Sequence, residues 1–320
     1  MPFAVTHPPD TAERVEGEPF YSLAMYTLLS STTDVLPAVR DFSFQLRAFD
    51  VLTPYDAVGL LSCIDSTGLI VWGGALGFIE WLVQNPHRLQ ARLRMVRNGQ
   101  AHVIELGCGS GVVAVALCAL LRGLGFADRA EKSFSSSPAV CVWATDGNLE
   151  CVSLAERNLS AQFREPCTSC PGVTASAALL PWGDAAAVQQ ALQTRFYGCT
   201  AASSITVVAA DVLYDAAAVP LLVSTVSEIA RVHAAGASPS TPPGTVEWWL
   251  AYTPRSLTRA LNEAIFHALL DAIAAHGWTY ELVDLPAGAV ATGFEESPGC
   301  SVPALLGCIL VVQVTCETRP

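Results

Sequence analysis

From residue 101 onward, short apolar runs alternate with longer stretches in which apolar positions recur every three or four residues. Runs of the first kind predict strands buried on both faces, and stretches of the second kind predict amphipathic helices. Strands are expected at residues 101–106, 140–145, 177–182, 204–209, 246–252, 278–285 and 305–314. Helices are expected at residues 112–122, 148–163, 185–195, 219–233 and 256–276. The second of these helices carries Leu149, Val152, Ala155 and Leu159 on one face. Such alternation implies an α/β protein with a mainly parallel sheet and helices on both faces. The last two strands have no helix between them, which predicts an antiparallel hairpin on that sheet.

Upstream of residue 101 the pattern is sparser. Leu76, Ile79, Leu82 and Val83 fall at helical spacing and predict a helix over residues 74–84, stopped by Asn85-Pro86. Phe42, Phe44, Leu46 and Phe49 alternate in part, as a strand or hairpin within residues 42–51 would. Residues 1–40 read as an arm. The chain thus divides into an N-terminal extension, residues 1–66, and a main domain, residues 67–320. Residues 123–138, 164–175, 234–244 and 288–303 read as loops, the first and third as insertions.

Composition narrows the classes. The 320 residues are 52% hydrophobic and 14% charged, enough for a large core and too apolar for disorder. The net charge of -12 disfavours binding to a phosphate backbone, so no nucleic-acid partner is expected. Such a surface would attract a basic partner; its plainer reading is solubility. There are 11 cysteines. Cys118, Cys141 and Cys308 lie in apolar segments and read as small core residues. The odd count, and an N-terminus without the apolar core of a signal peptide, point to a reducing compartment, cytoplasmic or nuclear. Cys167-x-x-Cys170 has no second pair at zinc spacing and reads as a loop with two free thiols. The longest apolar run, residues 305–314, is too short to span a bilayer, and no membrane association is expected. His102, His267 and His276 lie on or beside apolar elements and read as structural. No metal-ligand spacing and no Gly-x-Ser-x-Gly nucleophile elbow occur.

The most informative segment is Glu105-Leu106-Gly107-Cys108-Gly109-Ser110-Gly111. It joins a predicted strand to a helix start, the usual place for a nucleotide-like ligand in an α/β protein. A dinucleotide loop would need Gly-x-Gly-x-x-Gly, and Val112 stands where its last glycine belongs. No Lys-Ser/Thr pair follows, which excludes a P-loop. Three further features fall at the C-terminal ends of successive strands: Asp146, then Trp182-Gly183, then Ala210-Asp211-Val212-Leu213-Tyr214. Open α/β sheets bind ligands at that edge, so these residues should converge. Asp146 can accept from two ribose hydroxyls or cap the next helix. An indole such as Trp182 can cover an adenine face or simply fill core. The N–H groups of the glycine loop can meet a carboxylate.

In this order and strand context, the chain resembles the S-adenosylmethionine-dependent methyltransferases of the seven-stranded class. More narrowly, it resembles the protein-lysine methyltransferases with an Asp-x-x-Tyr motif after the fourth strand. The resemblance covers residues 67–314 and implies a Rossmann-like seven-stranded sheet. It implies that S-adenosylmethionine binds at Trp72, Glu105, Gly107, Cys108, Gly109, Ser110, Asp146, Trp182 and Ala210, leaving S-adenosylhomocysteine as product. Trp72, in the segment Thr67-Gly68-x-x-Val71-Trp72-x-x-Ala75, would lie against the cofactor. Asp211 and Tyr214 would be catalytic: Asp211 orients a lysine amine, and the Tyr214 ring forms a wall of the lysine channel. Arg255 matches an arginine frequent in that group, where it would orient acidic groups or fix a loop. Gly147 departs from the pattern, in which a larger residue is common.

The expected function is therefore in-line methyl transfer to a lysine of a protein substrate, by a monomer that needs no metal. Two competitors stand beside it: a small-molecule methyltransferase on the same fold, and a catalytically silent binding or chaperone-like module. A nicotinamide-dependent dehydrogenase ranks last, because of Val112 and the missing dehydrogenase residues.

Overall fold

A computed structural model describes residues 3–6, 21–29, 41–49, 67–69, 71–94, 101–124, 140–162, 172–195, 204–236, 245–255, 258–285 and 307–315, the first three segments by their backbone. The Cys167/Cys170 pair, the 288–303 loop and nearly all of the loops at 123–138 and 234–244 lie outside the described residues.

The main domain contains a seven-stranded sheet. Its strands are β4 (Ala101–Leu106), β5 (Val140–Asp146), β6 (Val173–Leu179), β7 (Ser204–Ala210), β8 (Val246–Tyr252), β9 (Thr279–Asp284) and β10 (Cys308–Val314). The order across the sheet is β6-β5-β4-β7-β8-β10-β9. All pairings are parallel except those of β10, which runs antiparallel between β8 and β9. Every residue of β4 and β8 is buried, which explains their near-continuous apolar runs.

Alternate residues of these strands feed two separate cores. Val103, Val208, Trp249 and Ile309 join one layer, with α1 (Gly73–Gln84), α2 (Pro86–Arg94), α3 (Val112–Gly123) and α4 (Leu149–Gln162). Ile104, Val207, Trp248 and Leu310 join the other, with α5 (Ala185–Arg195), α6 (Ala218–Ala235) and α7 (Arg259–Ala275). This is the mainly parallel sheet covered on both faces that the sequence pattern implies, with the seven Rossmann-like strands that the family resemblance implies.

Four details differ from the sequence reading. The third strand of the domain spans Val173–Leu179 and not residues 177–182, so the loop before it ends sooner. It lies at a sheet edge and is built from small residues that give little apolar signal. Asn85-Pro86 does end α1, but Pro86 also opens α2. Proline suits a first helical position, because its missing N–H would have no partner there anyway. The last two strands are antiparallel neighbours, as a hairpin requires, yet β10 lies inside β9 and against β8. Finally, the N-terminal arm contains β1 (Phe3–Thr6) and β2 (Tyr21–Leu29), which form a three-stranded antiparallel sheet with β3 (Asp41–Phe49), the strand expected near residue 42.

Candidate active site

The chain runs outward from β4 to β5 and β6, then returns to place β7 on the other side of β4. That reversal opens a crevice at the C-terminal edge of the strands. A cavity of about 770 Å³ lies there. Trp72, Glu105, Gly107, Cys108, Gly109, Ser110, Asp146, Trp182, Ala210, Asp211, Tyr214 and Arg255 all line it. Every residue singled out in the sequence for the cofactor or for catalysis thus faces one space.

The glycine loop is shaped from within. Gly107, Gly109 and Gly111 all have positive φ (74°, 52° and 78°). At Gly109 a Cβ would also meet the Gly68 carbonyl of the short Thr67–Leu69 turn, so both backbone angle and space require glycine there. The N–H groups of Gly107 and Cys108 donate to the Thr145 carbonyl at 2.8 and 2.9 Å, and that of Gly111 donates to the Cys108 carbonyl at 2.7 Å. Gly109 N–H donates to Asp146 Oδ2 at 3.0 Å. The loop N–H groups expected to meet a ligand carboxylate are therefore engaged inside the protein at these four positions.

Glu105 is buried at the end of β4, and its Oε2 accepts from Ala114 N–H at 3.0 Å. Ala114 is the third residue of α3, whose N-cap is a glycine with no side chain to offer. Glu105 thus supplies from the strand the capping oxygen that the helix lacks. Burial pushes its carboxyl up to about 8, against the lowering effect of the Ala114 bond. Burial likewise raises the Cys108 thiol, and Cys118 and Cys308 are buried core thiols pushed up to about 12.

Asp146, at the end of β5, accepts from Gly109 N–H and, through Oδ1, from Asn148 N–H at 2.9 Å. Asn148 accepts from Glu150 N–H at 2.8 Å and is the residue that caps α4. Asp146 therefore ties the glycine loop to the turn after β5. Trp182 packs against Gly107: a Cβ there would lie 3.0 Å from the indole Cζ2. Its buried Nε1 makes no hydrogen bond among the described residues. Leu149, Leu179 and Leu221 line the cavity and are 65%, 45% and 47% exposed, forming an apolar rim. Leu149 is expected in the sequence on the apolar face of its helix and Leu179 and Leu221 are not singled out, because apolar residues at element ends look the same whether they face a core or a ligand.

Asp211 follows β7 with φ 58°, the one non-glycine residue with positive φ among those described. Its side chain is 4% exposed. Oδ2 accepts from Gly74 N–H at 3.1 Å, and Oδ1 accepts from the Thr253 hydroxyl. Arg255 Nε lies 4.0 Å from Oδ1, and Arg255 Nη1 donates to the Asp211 carbonyl at 3.0 Å. Burial raises the Asp211 carboxyl; Arg255, Thr253 and Gly74 oppose the rise. The Arg255 guanidinium lies over two rings, 3.4 Å from the Trp72 centroid and 4.8 Å from that of Tyr214. Gly74 and Thr253 went unnoticed in the sequence. A glycine doublet at a helix start, and a threonine one residue beyond β8, were the available signals.

No group of three His, Cys, Asp or Glu that could hold a metal ion occurs among the described residues. Nor is any described helix long and apolar enough to cross a membrane.

The fold and this edge of the sheet define a Rossmann-like, seven-stranded α/β domain with a cavity at the reversal of its strand order. A family profile described as lysine methyltransferase matches residues 62–235, and the chain belongs to that family. The human protein-lysine N-methyltransferase EEF2KMT is 26% identical over 270 residues, covering 80% of this chain and 69% of that protein. Its Bos taurus counterpart is 29% identical over 134 residues, covering 38% of this chain and 36% of that protein. Among solved structures, loganic acid methyltransferase with SAH aligns at a TM-score of 0.41 and 9% identity, covering 77% of this chain and 96% of that one.

Proposed function

We propose that the chain binds S-adenosylmethionine in this cavity and methylates a lysine side chain of a protein substrate. The observation that carries this reading is the convergence of three carboxylates, Glu105, Asp146 and Asp211, on one cavity beside a glycine loop. The methyl donor is cationic at its sulfonium and ammonium, and the carboxyl oxygens of the lining offer it hydrogen-bond acceptors and, where ionised, negative charge. The family match and the name of the human relative support lysine as the acceptor.

The residues present fit such a ligand. Asp146, fixed by Gly109 and Asn148, would hold the ribose hydroxyls. The Trp182 indole, whose Nε1 has no partner among the described residues, and the leucine rim would hold the adenine. Gly107, Gly109 and Trp72 line the same cavity. When bound, the donor supplies an electrophilic methyl group. The chain's own part is to orient the acceptor in line and relieve it of a proton. Asp211 suits the second task. Burial raises its affinity for a proton, and Gly74 and Thr253 fix its two oxygens. Tyr214, 44% exposed at the rim, would form the wall along which a lysine enters.

Two measurements test the reading. A thermal shift with S-adenosylmethionine and S-adenosylhomocysteine but not with NAD is expected, since a ligand of the native state raises the melting temperature. Transfer of labelled methyl to cell-extract protein, followed by mass spectrometry, should place the label on lysine. Label found only in small molecules would overturn the protein-lysine assignment.

A further inference from the structure

We infer that Arg255 is the residue that recognises the carboxylate of the methyl donor's amino-acid tail. The inference rests on the donor reading above and adds to it a specific contact. A carboxylate entering this cavity needs hydrogen-bond donors or a cation. Four of the loop N–H donors are taken: Gly107 and Cys108 donate to Thr145, Gly109 to Asp146 and Gly111 to Cys108; the Ser110 hydroxyl, without a partner among the described residues, could add a neutral hydrogen bond but no charge. Among the described residues that line the cavity, Arg255 is the one basic side chain, set against Glu105, Asp146 and Asp211.

The geometry prepares it for that task. Trp72 and Tyr214 cover the guanidinium at 3.4 and 4.8 Å, and Nη1 is anchored on the Asp211 carbonyl. A planar guanidinium clamped in this way keeps its edge in one orientation, which suits paired hydrogen bonds to a carboxylate. Its side chain is 13% exposed, so the pairing takes place away from bulk water and is weakly screened. A carboxylate could also come from an acidic residue beside the acceptor lysine. The donor is the better source, because the proposed reaction always brings it into this cavity, whereas the acceptor group is basic.

The test compares two ligands on three proteins by calorimetry: S-adenosylhomocysteine and its decarboxylated analogue on the wild type, Arg255→Met and Arg255→Lys. The wild type should prefer the carboxylate-bearing ligand at least tenfold. In Arg255→Met that preference should fall to about twofold or less, with the decarboxylated analogue binding as it does to the wild type. Unchanged binding of the analogue also shows that the variant is folded. Arg255→Lys should restore part of the preference, because it returns the charge without the planar fork. A preference that persists in Arg255→Met overturns the assignment and leaves an acceptor carboxylate as the partner to test. Equal weakening of both ligands also overturns it, because the residue would then only hold the site together. If the wild type binds neither ligand, the donor reading itself fails along with the assignment.

Discussion

Asp211 closes the N-terminus of a helix far back in the chain: its Oδ2 accepts at 3.1 Å from the N–H of Gly74, 137 residues earlier. Trp72, at the N-cap position of α1, makes no side-chain capping bond. The carboxylate that the proposed chemistry needs is thus also the cap that anchors α1 to the active edge of the sheet.

Gly74→Ala should therefore behave unlike an ordinary helix substitution. Alanine is favoured over glycine within helices by about 1 kcal/mol. Here its Cβ would lie 2.8 Å from Asp211 Cγ and Oδ2 and 2.8 Å from Thr253 Cγ2. The expected outcome is a net loss of about 1–3 kcal/mol from overpacking, read by denaturant unfolding, with methyl transfer reduced at least about tenfold.

At Asp211 itself, two substitutions should separate chemistry from fold. Asparagine tolerates the left-handed backbone; its one amide oxygen can still accept from Gly74 N–H, while its NH2 can donate to the Thr253 hydroxyl oxygen. Asp211→Asn should keep a melting temperature close to the wild type and lose transfer by about 100-fold or more. Asp211→Ala should lose transfer and also about 2–4 kcal/mol of stability, because the Gly74 donor is left without its partner and the backbone is strained. Equal melting temperatures for the two variants would contradict the capping role.

Glu105 makes stability depend on pH with a definite sign. Its carboxyl is pushed up to about 8 in the native state, from an ordinary value of 4.5. Between those values the native state binds more protons than the unfolded chain, so stability is greatest at the acid end and falls as pH rises through the window. Asp211, also raised by burial, shifts stability in the same direction. Glu105→Gln should remove the Glu105 part. The difference in melting temperature between variant and wild type should grow in the variant's favour from about pH 5 to pH 8.5, by about 2–4 °C for each kcal/mol removed. A constant difference would show that Glu105 does not titrate in this range.

A buried pair at the opposite edge of the sheet offers a contrast. Arg92 Nε lies 3.2 Å from Glu247 Oε2, and Arg92 also donates to the carbonyls of Ile205 and Thr245 at 2.9 and 3.0 Å. These bonds tie α2 to the starts of β7 and β8. Arg92→Met should cost about 3 kcal/mol by leaving Glu247 buried without its cation. Glu247→Gln in the same chain should recover part of that loss. Binding of S-adenosylhomocysteine to the folded variant should stay within about twofold of the wild type, since the cavity lies at the other end of the strands.

What could be read in the sequence follows from where each signal resides. The central strands were legible because both their faces are buried, and Glu105, Asp146 and Asp211 because they end those strands before turns. Edge strand β6 blurred, since its segment Thr174-Ala175-Ser176-Ala177 packs little apolar surface. Helix α2 was hidden by Pro86, which reads as a stop although it also suits a start. The cross-chain caps were invisible in principle. A helix that lacks its own capping residue shows only the absence, and nothing in residues 73–84 points to residue 211.

The place of β10 has a consequence for how this molecule comes into being. Leu310 pairs with Leu250 on one side and Leu282 on the other, and Val312 with Trp248 and Tyr280. During vectorial synthesis, β4 to β8 can pair as they emerge, but β9 must wait, because the strand it binds is made after it. Until residues 308–314 arrive, β8 presents an open apolar edge to other nascent chains. Termination in the segment before β10 would release a chain that holds every residue of the proposed active site and yet has an unfinished sheet.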